Sequence, residues 1–140
     1  MDYRLNNEAI VGCVAAQVVR CGCQKLPSVV AVTNLLMHDT ERKKVKSMPN
    51  SRDLTAIVNQ IDGGLLTIIM NSLAILIQGG CLTFDAGVLT LTPTGLNLCE
   101  QMKDGRCEML SGILRDLPAV MKKAEKMEDG LLDQRYMIAL

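Results

Sequence analysis

One short segment of this chain reads as β-structure. In residues 79–102, GGCLTFDAGVLTLTPTGLNLCEQM, Leu82 and Phe84 alternate with Cys81 and Thr83, and Leu89 and Leu91 alternate with Val88 and Thr90. Period two is the strand signature, and Asp85-Ala86-Gly87 between the runs turns them into a hairpin. Thr92 followed by Pro93 then predicts a capped helix start, with Leu96, Cys99 and Met102 on its inner stripe. The other periodic stretches repeat every three or four residues, as helices do. One hairpin among helices gives an α+β chain, mostly helical. With 140 residues it falls in the single-domain range. The order helix, helix, hairpin, helix over about 52–102 predicts a winged-helix-like core. Extra helices flank it at the N-terminus and, over about 106–140, at the C-terminus.

The N-terminal extension begins with a helix capped by Asn6 or Asn7. Its stripe is Ile10, Cys13, Val14, Val18 and Cys21, with Gln17 as a polar member, and Gly22 and Pro27 end it. Pro27 opens a second helix, PSVVAVTNLLMH, apolar on nearly all sides and therefore expected to be buried. A short helix after Asp39 or Thr40 carries the charged run. Asn50 or Ser51 is placed to cap RDLTAIVNQI, and Asp62 to cap GGLLTIIMNSLAILIQ. Beyond the hairpin and its helix, one helix is predicted over Cys107 to Asp116 and another from Pro118 to about Met127.

A DNA-reading winged helix presents cations and amide side chains on the helix before the wing. Here that helix has no charge, and no Lys or Arg stands between Arg52 and Lys103. Asp53, Asp62, Asp85 and Glu100 make this stretch acidic. Placed against phosphates it would add repulsion and release no counterions. The whole chain carries 15 basic and 15 acidic side chains, so its net charge offers no electrostatic drive toward nucleic acid either. The one basic cluster is ERKKVK, where Arg42, Lys43, Lys44 and Lys46 could supply a secondary contact. A wing without cations is suited to docking protein, and its large apolar members, Phe84 and Val88, are interface candidates.

Six cysteines are present, Cys13, Cys21, Cys23, Cys81, Cys99 and Cys107. The opening MDYRLNNEAI has no export-signal pattern, so reduced thiols and a cytoplasmic location are expected. CGC at Cys21–Cys23 lacks metal-ligand or redox spacing, and buried thiols are the better reading. His38 is the lone histidine, suited to a helix end. No phosphate-cradling loop, nucleophile–base pair or cofactor motif is present, and no apolar run reaches membrane-spanning length. The chain is read as non-enzymatic, with no cofactor or metal. Its tail after Gly130 is unusually apolar for a chain end. Leu131, Leu132, Tyr136, Ile138 and Leu140 must pack on the domain or against a partner.

The run LPSVVAVTNLLMHDTERKKV, the later NSRDLTAIV, and an early NN pair resemble the middle component of bacterial three-component ABC ATPase systems. Asn6, Asn7, Leu26, Pro27, His38, Arg42, Ser51, Arg52 and the tail Tyr136 carry the resemblance, which extends over nearly the whole chain. The chain departs from many relatives in being shorter and almost free of aromatic residues. The resemblance implies an accessory subunit placed between a coiled-coil ATPase similar to structural-maintenance-of-chromosomes proteins and an effector such as a nuclease, as in Lamassu-like anti-phage defence. A winged-helix transcription regulator contacting DNA through the basic run is the competing reading. It predicts a dimer formed through the C-terminal helices. A thiol protein using Cys21 or Cys23 is a third.

Overall fold

The computed structural model describes residues 3–49, 54–102, 108–127 and 129–137. The chain is mostly helical with one two-stranded sheet. Its elements are α1 (Tyr3–Arg20), α2 (Leu26–Met37), α3 (Asp39–Lys46), α4 (Thr55–Gln60), α5 (Leu66–Gln78), β1 (Leu82–Asp85), β2 (Val88–Leu91), α6 (Pro93–Met102) and α7 (Glu108–Ala124). Single 3₁₀ turns follow at Asp129–Leu131 and Gln134–Tyr136.

Aliphatic residues build the core, and α1 and α2 occupy its centre. From Leu26 to Leu36 only Pro27 escapes full burial, as the all-round apolar pattern of α2 required. α1 packs against α2, α5, α6, α7 and β2. The organising centre therefore lies outside residues 52–102, and α1 and α2 are not additions to a self-sufficient core. In α1, Val11, Val14, Ala15, Val18 and Val19 are buried. Gln17 is buried too, and its amide donates to the Cys99 carbonyl at 3.1 Å, tying α1 to α6.

Several element boundaries depart from the sequence reading. α1 begins at Tyr3, so Asn6 and Asn7 lie inside the helix instead of capping it. α4 is a six-residue helix starting at Thr55, and its expected caps, Asn50 and Ser51, fall outside the described residues. Asp62 does not cap α5, which begins four residues later. Its carboxylate accepts instead from the Gly64 N–H at 3.3 Å. α7 runs unbroken through Pro118, where two helices were expected. An interior proline costs roughly 3 kcal/mol by removing one helical hydrogen bond and crowding the preceding turn. Here the ring is exposed, while Leu110, Ile113, Leu117 and Val120 bury the opposite face, and that packing holds the helix together.

Thr92 behaves as its position implies. Its Oγ1 accepts from the Gly95 N–H at 3.1 Å, capping α6, and its proton is directed at the carbonyls of Gly80 and Cys81. That clamps the helix onto the foot of β1. The buried stripe of α6 is Gly95 and Cys99 with half-buried Leu98 and Met102, not the expected Leu96, which points to solvent. A glycine is required at 95 because a Cβ there would stand 2.1 Å from the Cys81 carbonyl oxygen.

Candidate protein-docking surface

The hairpin closes through a two-residue turn, Ala86-Gly87, with φ of 51° and 79°. Both central residues are left-handed, the type I′ geometry that matches strand twist. The register pairs Leu82 with Leu91, Thr83 with Thr90, Phe84 with Leu89 and Asp85 with Val88. The Thr92 N–H donates to the Cys81 carbonyl at 3.0 Å. In an antiparallel ladder this parity makes residues 81, 83 and 85 the ones whose backbone groups face β2. The N–H and C=O groups of Leu82 and Phe84 therefore face away from it.

The two edges of the hairpin are treated differently. On the β2 side, the Leu89 N–H donates to the Gln24 carbonyl at 2.8 Å, and the Leu26 N–H donates to the Gly87 carbonyl at 3.0 Å. The segment entering α2 thus caps that edge as a one-bridge third strand, Lys25 opposite Val88. Among the described residues no strand lies along the outer edge of β1.

Side chains follow the same alternation. Leu82, Phe84, Leu89 and Leu91 share the core face, and Thr83, Asp85, Val88 and Thr90 share the outer one. Leu82 and Leu89 are buried, yet Phe84 is 36% exposed at the open edge. Val88, the other hairpin candidate, is equally exposed on the outer face. The chain itself does not cover α5 on all sides: Thr67, Asn71, Ile75 and Gln78 form a solvent-facing stripe, with Ile75 61% exposed at its centre. The polar residues of that stripe, spaced i, i+4 and i+11, are the local signal that marks Ile75, at i+8, as the outward-facing isoleucine.

The basic run divides. Arg42 is buried, which removes it as a surface contact. Its Nε donates to Asp116 Oδ2 at 2.9 Å, its Nη1 donates to the Leu36 carbonyl at 2.8 Å, and Asp39 lies 2.7 Å from the same nitrogen. A guanidinium one turn along a short helix beneath α7 is drawn inward by these acceptors. Lys43 and Lys44 are exposed, and Lys46, half exposed, pairs with the other Asp116 oxygen at 2.9 Å. Burial alone would raise the Asp116 carboxyl, but hydrogen bonds and charge from Lys46 and Arg42 outweigh it and hold the group below its ordinary range.

The tail is largely self-packed. Leu132 and Tyr136 are buried, so these two interface candidates are consumed by the chain's own core. The Tyr136 hydroxyl donates to the Val58 carbonyl and lies 3.3 Å from Asn34 Nδ2. Asn59 clasps the same segment, donating to the Leu131 carbonyl at 2.9 Å and accepting from the Asp133 N–H at 2.7 Å. Arg135 returns the contact, donating to the Asn59 carbonyl at 2.8 Å at the end of α4. Leu131 stays exposed; Ile138 and Leu140 lie outside the described residues.

His38 joins α2 to α3, its Nδ1 2.7 Å from the Asn34 carbonyl, the helix-end role read from the sequence. Of the thiols, Cys99 is buried and Cys13, Cys23 and Cys81 are half-buried, whereas Cys21 is exposed, against expectation. Desolvation nonetheless pushes the Cys21 thiol above its usual value, with Arg20 opposing, and disfavours the nucleophilic thiolate. Cys21, Cys23, Lys25, Val88 and Glu125 help line a cleft of about 460 Å³ beside the hairpin. No metal-binding cluster occurs among the described residues, and no helix there is long and apolar enough to cross a membrane.

No family model matches the chain, and no curated protein or solved structure matches it either.

Proposed function

We propose that this chain is a non-catalytic adaptor, an accessory subunit bridging a coiled-coil ABC ATPase of the structural-maintenance type and an effector such as a nuclease in a cytoplasmic anti-phage defence complex. The ATPase and the defence setting rest on the sequence resemblance. Docking of protein rests on one observation: the surface where a winged helix would read DNA, α5 with the hairpin, presents Thr67, Asn71, Ile75, Phe84 and Val88 and no cation. The order α4, α5, hairpin, α6 is compatible with a winged-helix-like arrangement over about 52–102 within the helical assembly. DNA sensing would then belong to the ATPase, and the wing would serve as a docking edge.

A tagged purification from the native host, with co-purifying proteins identified by mass spectrometry, tests the reading. A stoichiometric coiled-coil ATPase, with or without a nuclease, is the expected result. A clean homodimer that shifts promoter DNA at physiological salt would overturn it in favour of a transcription regulator contacting DNA through Lys43 and Lys44.

A further inference from the structure

The zero net charge hides a segregation. Residues 53–102 carry four acidic side chains and no basic one, whereas 39–46 and 109–126 together hold eight basic side chains against four acidic. Those two basic stretches lie far apart in the chain and are neighbours in the fold. α3 and α7 pack on each other, and both pack on α2. Arg42 and Lys46 of α3 meet Asp116 of α7, and the Lys123 ammonium donates to the Lys46 carbonyl at 3.4 Å. With α2 beneath both, the outward sides of α3 and α7 make one surface.

Cations crowd that surface. Lys43 and Lys44 are exposed on α3, and Lys46 at its edge is half exposed. On α7, Arg115 and Lys122 are exposed opposite the buried stripe of Leu110, Ile113, Leu117 and Val120. They stand two turns apart, about 10 Å along the axis, and exposed Lys126 follows in the closing turn. Among the described residues few acids oppose them. Asp39 and Asp116 are taken by Arg42 and Lys46. Glu41 is half-buried, and Glu125 lines the cleft beside the hairpin. Offsetting a helix dipole accounts for lysines in a last turn, such as Lys43, Lys44 and Lys122. It does not account for Arg115, in the middle of α7.

The surroundings select the ligand. A protein partner is held by apolar or aromatic anchors. Among the described residues of these two helices, the only exposed large apolar side chain is Met109, at the start of α7. Unpaired strands are held by stacking on aromatic rings, and neither helix contains one. No Asn, Gln or His is exposed there to read base edges or the 2′-hydroxyls of RNA. Duplex phosphates, by contrast, are bound by cations alone.

We infer that the outer surface of α3 and α7 holds the phosphate backbone of double-stranded DNA without regard to sequence. Lys43, Lys44, Arg115, Lys122 and Lys126 make the contacts, and Lys46 stays with Asp116. This goes beyond the adaptor reading: the cation-free face of α5 and the hairpin is left for protein, while this second face lets the subunit lie on DNA.

A short fluorescently labelled duplex of random sequence is titrated with the full chain at stepped salt, and anisotropy is read. Binding is expected at about 50 mM salt, weakening about 10²-fold or more by about 200 mM, as counterion release from four or five phosphates requires. Lys43→Ala/Lys44→Ala and Arg115→Ala/Lys122→Ala should each weaken binding and each lower the salt slope by about two. Arg115→Lys/Lys122→Arg, which keeps both charges, should bind like the parent. Thermal melts matching the parent keep lost binding separate from lost folding. No binding at the lowest salt, a slope unchanged by either double alanine variant, or tighter binding of duplex RNA, single-stranded DNA or polyglutamate would each overturn the inference. If duplex binding fails while the ATPase still co-purifies, this surface is wrong and the adaptor reading stands. If random duplex is bound and no ATPase co-purifies, the surface stands and the adaptor reading falls.

Discussion

Arg42 and Asp116 join α3 to α7 through a buried ion pair, Nε to Oδ2 at 2.9 Å, with Lys46 on the second carboxylate oxygen. Removing Arg42 leaves the buried Asp116 carboxylate with only the half-exposed Lys46. Arg42→Ala is therefore expected to destabilise the fold by about 3–5 kcal/mol, the range for breaking a buried pair. Lys43→Ala and Lys44→Ala, at exposed positions of the same run, should stay within about 0.5 kcal/mol. Urea unfolding followed by circular dichroism measures all three. Equal effects across the run would contradict the burial of Arg42.

The same pair makes stability depend on acid. Asp116 has its native pKa depressed by Lys46 and Arg42 despite its burial, so the unfolded chain binds the proton more readily than the folded one. Its contribution is complete above the ordinary carboxylate value and is lost as pH falls below that value toward the native one. Unfolding free energy should therefore fall on acidification below about pH 4. In Asp116→Asn that acid-dependent loss should be smaller, on a baseline already lowered by the loss of the charge facing Arg42 Nε. Thermal melts at stepped pH test the slope.

The fold's elements were legible wherever a local signal had no strong competitor. Thr92-Pro93 and Asp85-Ala86-Gly87 specify a cap and a turn by chemistry internal to a few residues, and both hold. Pro118 is a local signal too, but the buried face of α7 overrode it, and no residue near the proline reveals that face's strength. Facing was harder than helicity. Leu96 and Leu98 both offered a face for the short α6, and contacts with α1 and the hairpin decide between them, whereas the polar spacing of Thr67, Asn71 and Gln78 marks the outward face of Ile75. Arg42 was hidden for a related reason: its acceptor Asp116 lies 74 residues away. The lack of cations on α5 and the hairpin, by contrast, was visible from the absence of Lys and Arg over residues 53–102.

Gly95 is expected to tolerate no side chain. A Cβ would lie 2.1 Å from the Cys81 carbonyl oxygen and 2.7 Å from Leu91 Cδ1. The leucine tip can move, but the carbonyl belongs to the backbone clamped by Thr92. Gly95→Ala should cost about 3 kcal/mol, at the upper end of overpacking effects. Gly112→Ala, with open space around the added methyl group, serves as the control in the same denaturation series and should be neutral or slightly stabilising.

Ala86 occupies a left-handed conformation, φ 51°, at the first position of the type I′ turn. Alanine pays a steric cost there that asparagine tolerates better. Ala86→Asn, giving Asn-Gly, should raise stability by about 0.5–1 kcal/mol. A loss of stability would show that the turn does not have this geometry.

Tyr136 decides whether the tail belongs to the domain or to a partner. Its ring is buried, and its hydroxyl donates to the Val58 carbonyl while facing Asn34 Nδ2 and Arg135. Tyr136→Phe leaves the ring and removes one donor from the Val58 carbonyl, which keeps the Ile61 N–H and Arg135, at a cost of about 0.5–1.5 kcal/mol. Tyr136→Ala also opens a cavity and should cost about 3–5 kcal/mol, by analogy with other buried aromatics. Leu131→Ser, on an exposed side chain of the same segment, should leave stability unchanged within about 0.5 kcal/mol. Unfolding of the isolated chain, with no other protein present, carries the test. Tyr136 variants as stable as the parent would mean that the tail is not anchored in the isolated chain, and Leu132 and Tyr136 would again be candidates for a partner's surface.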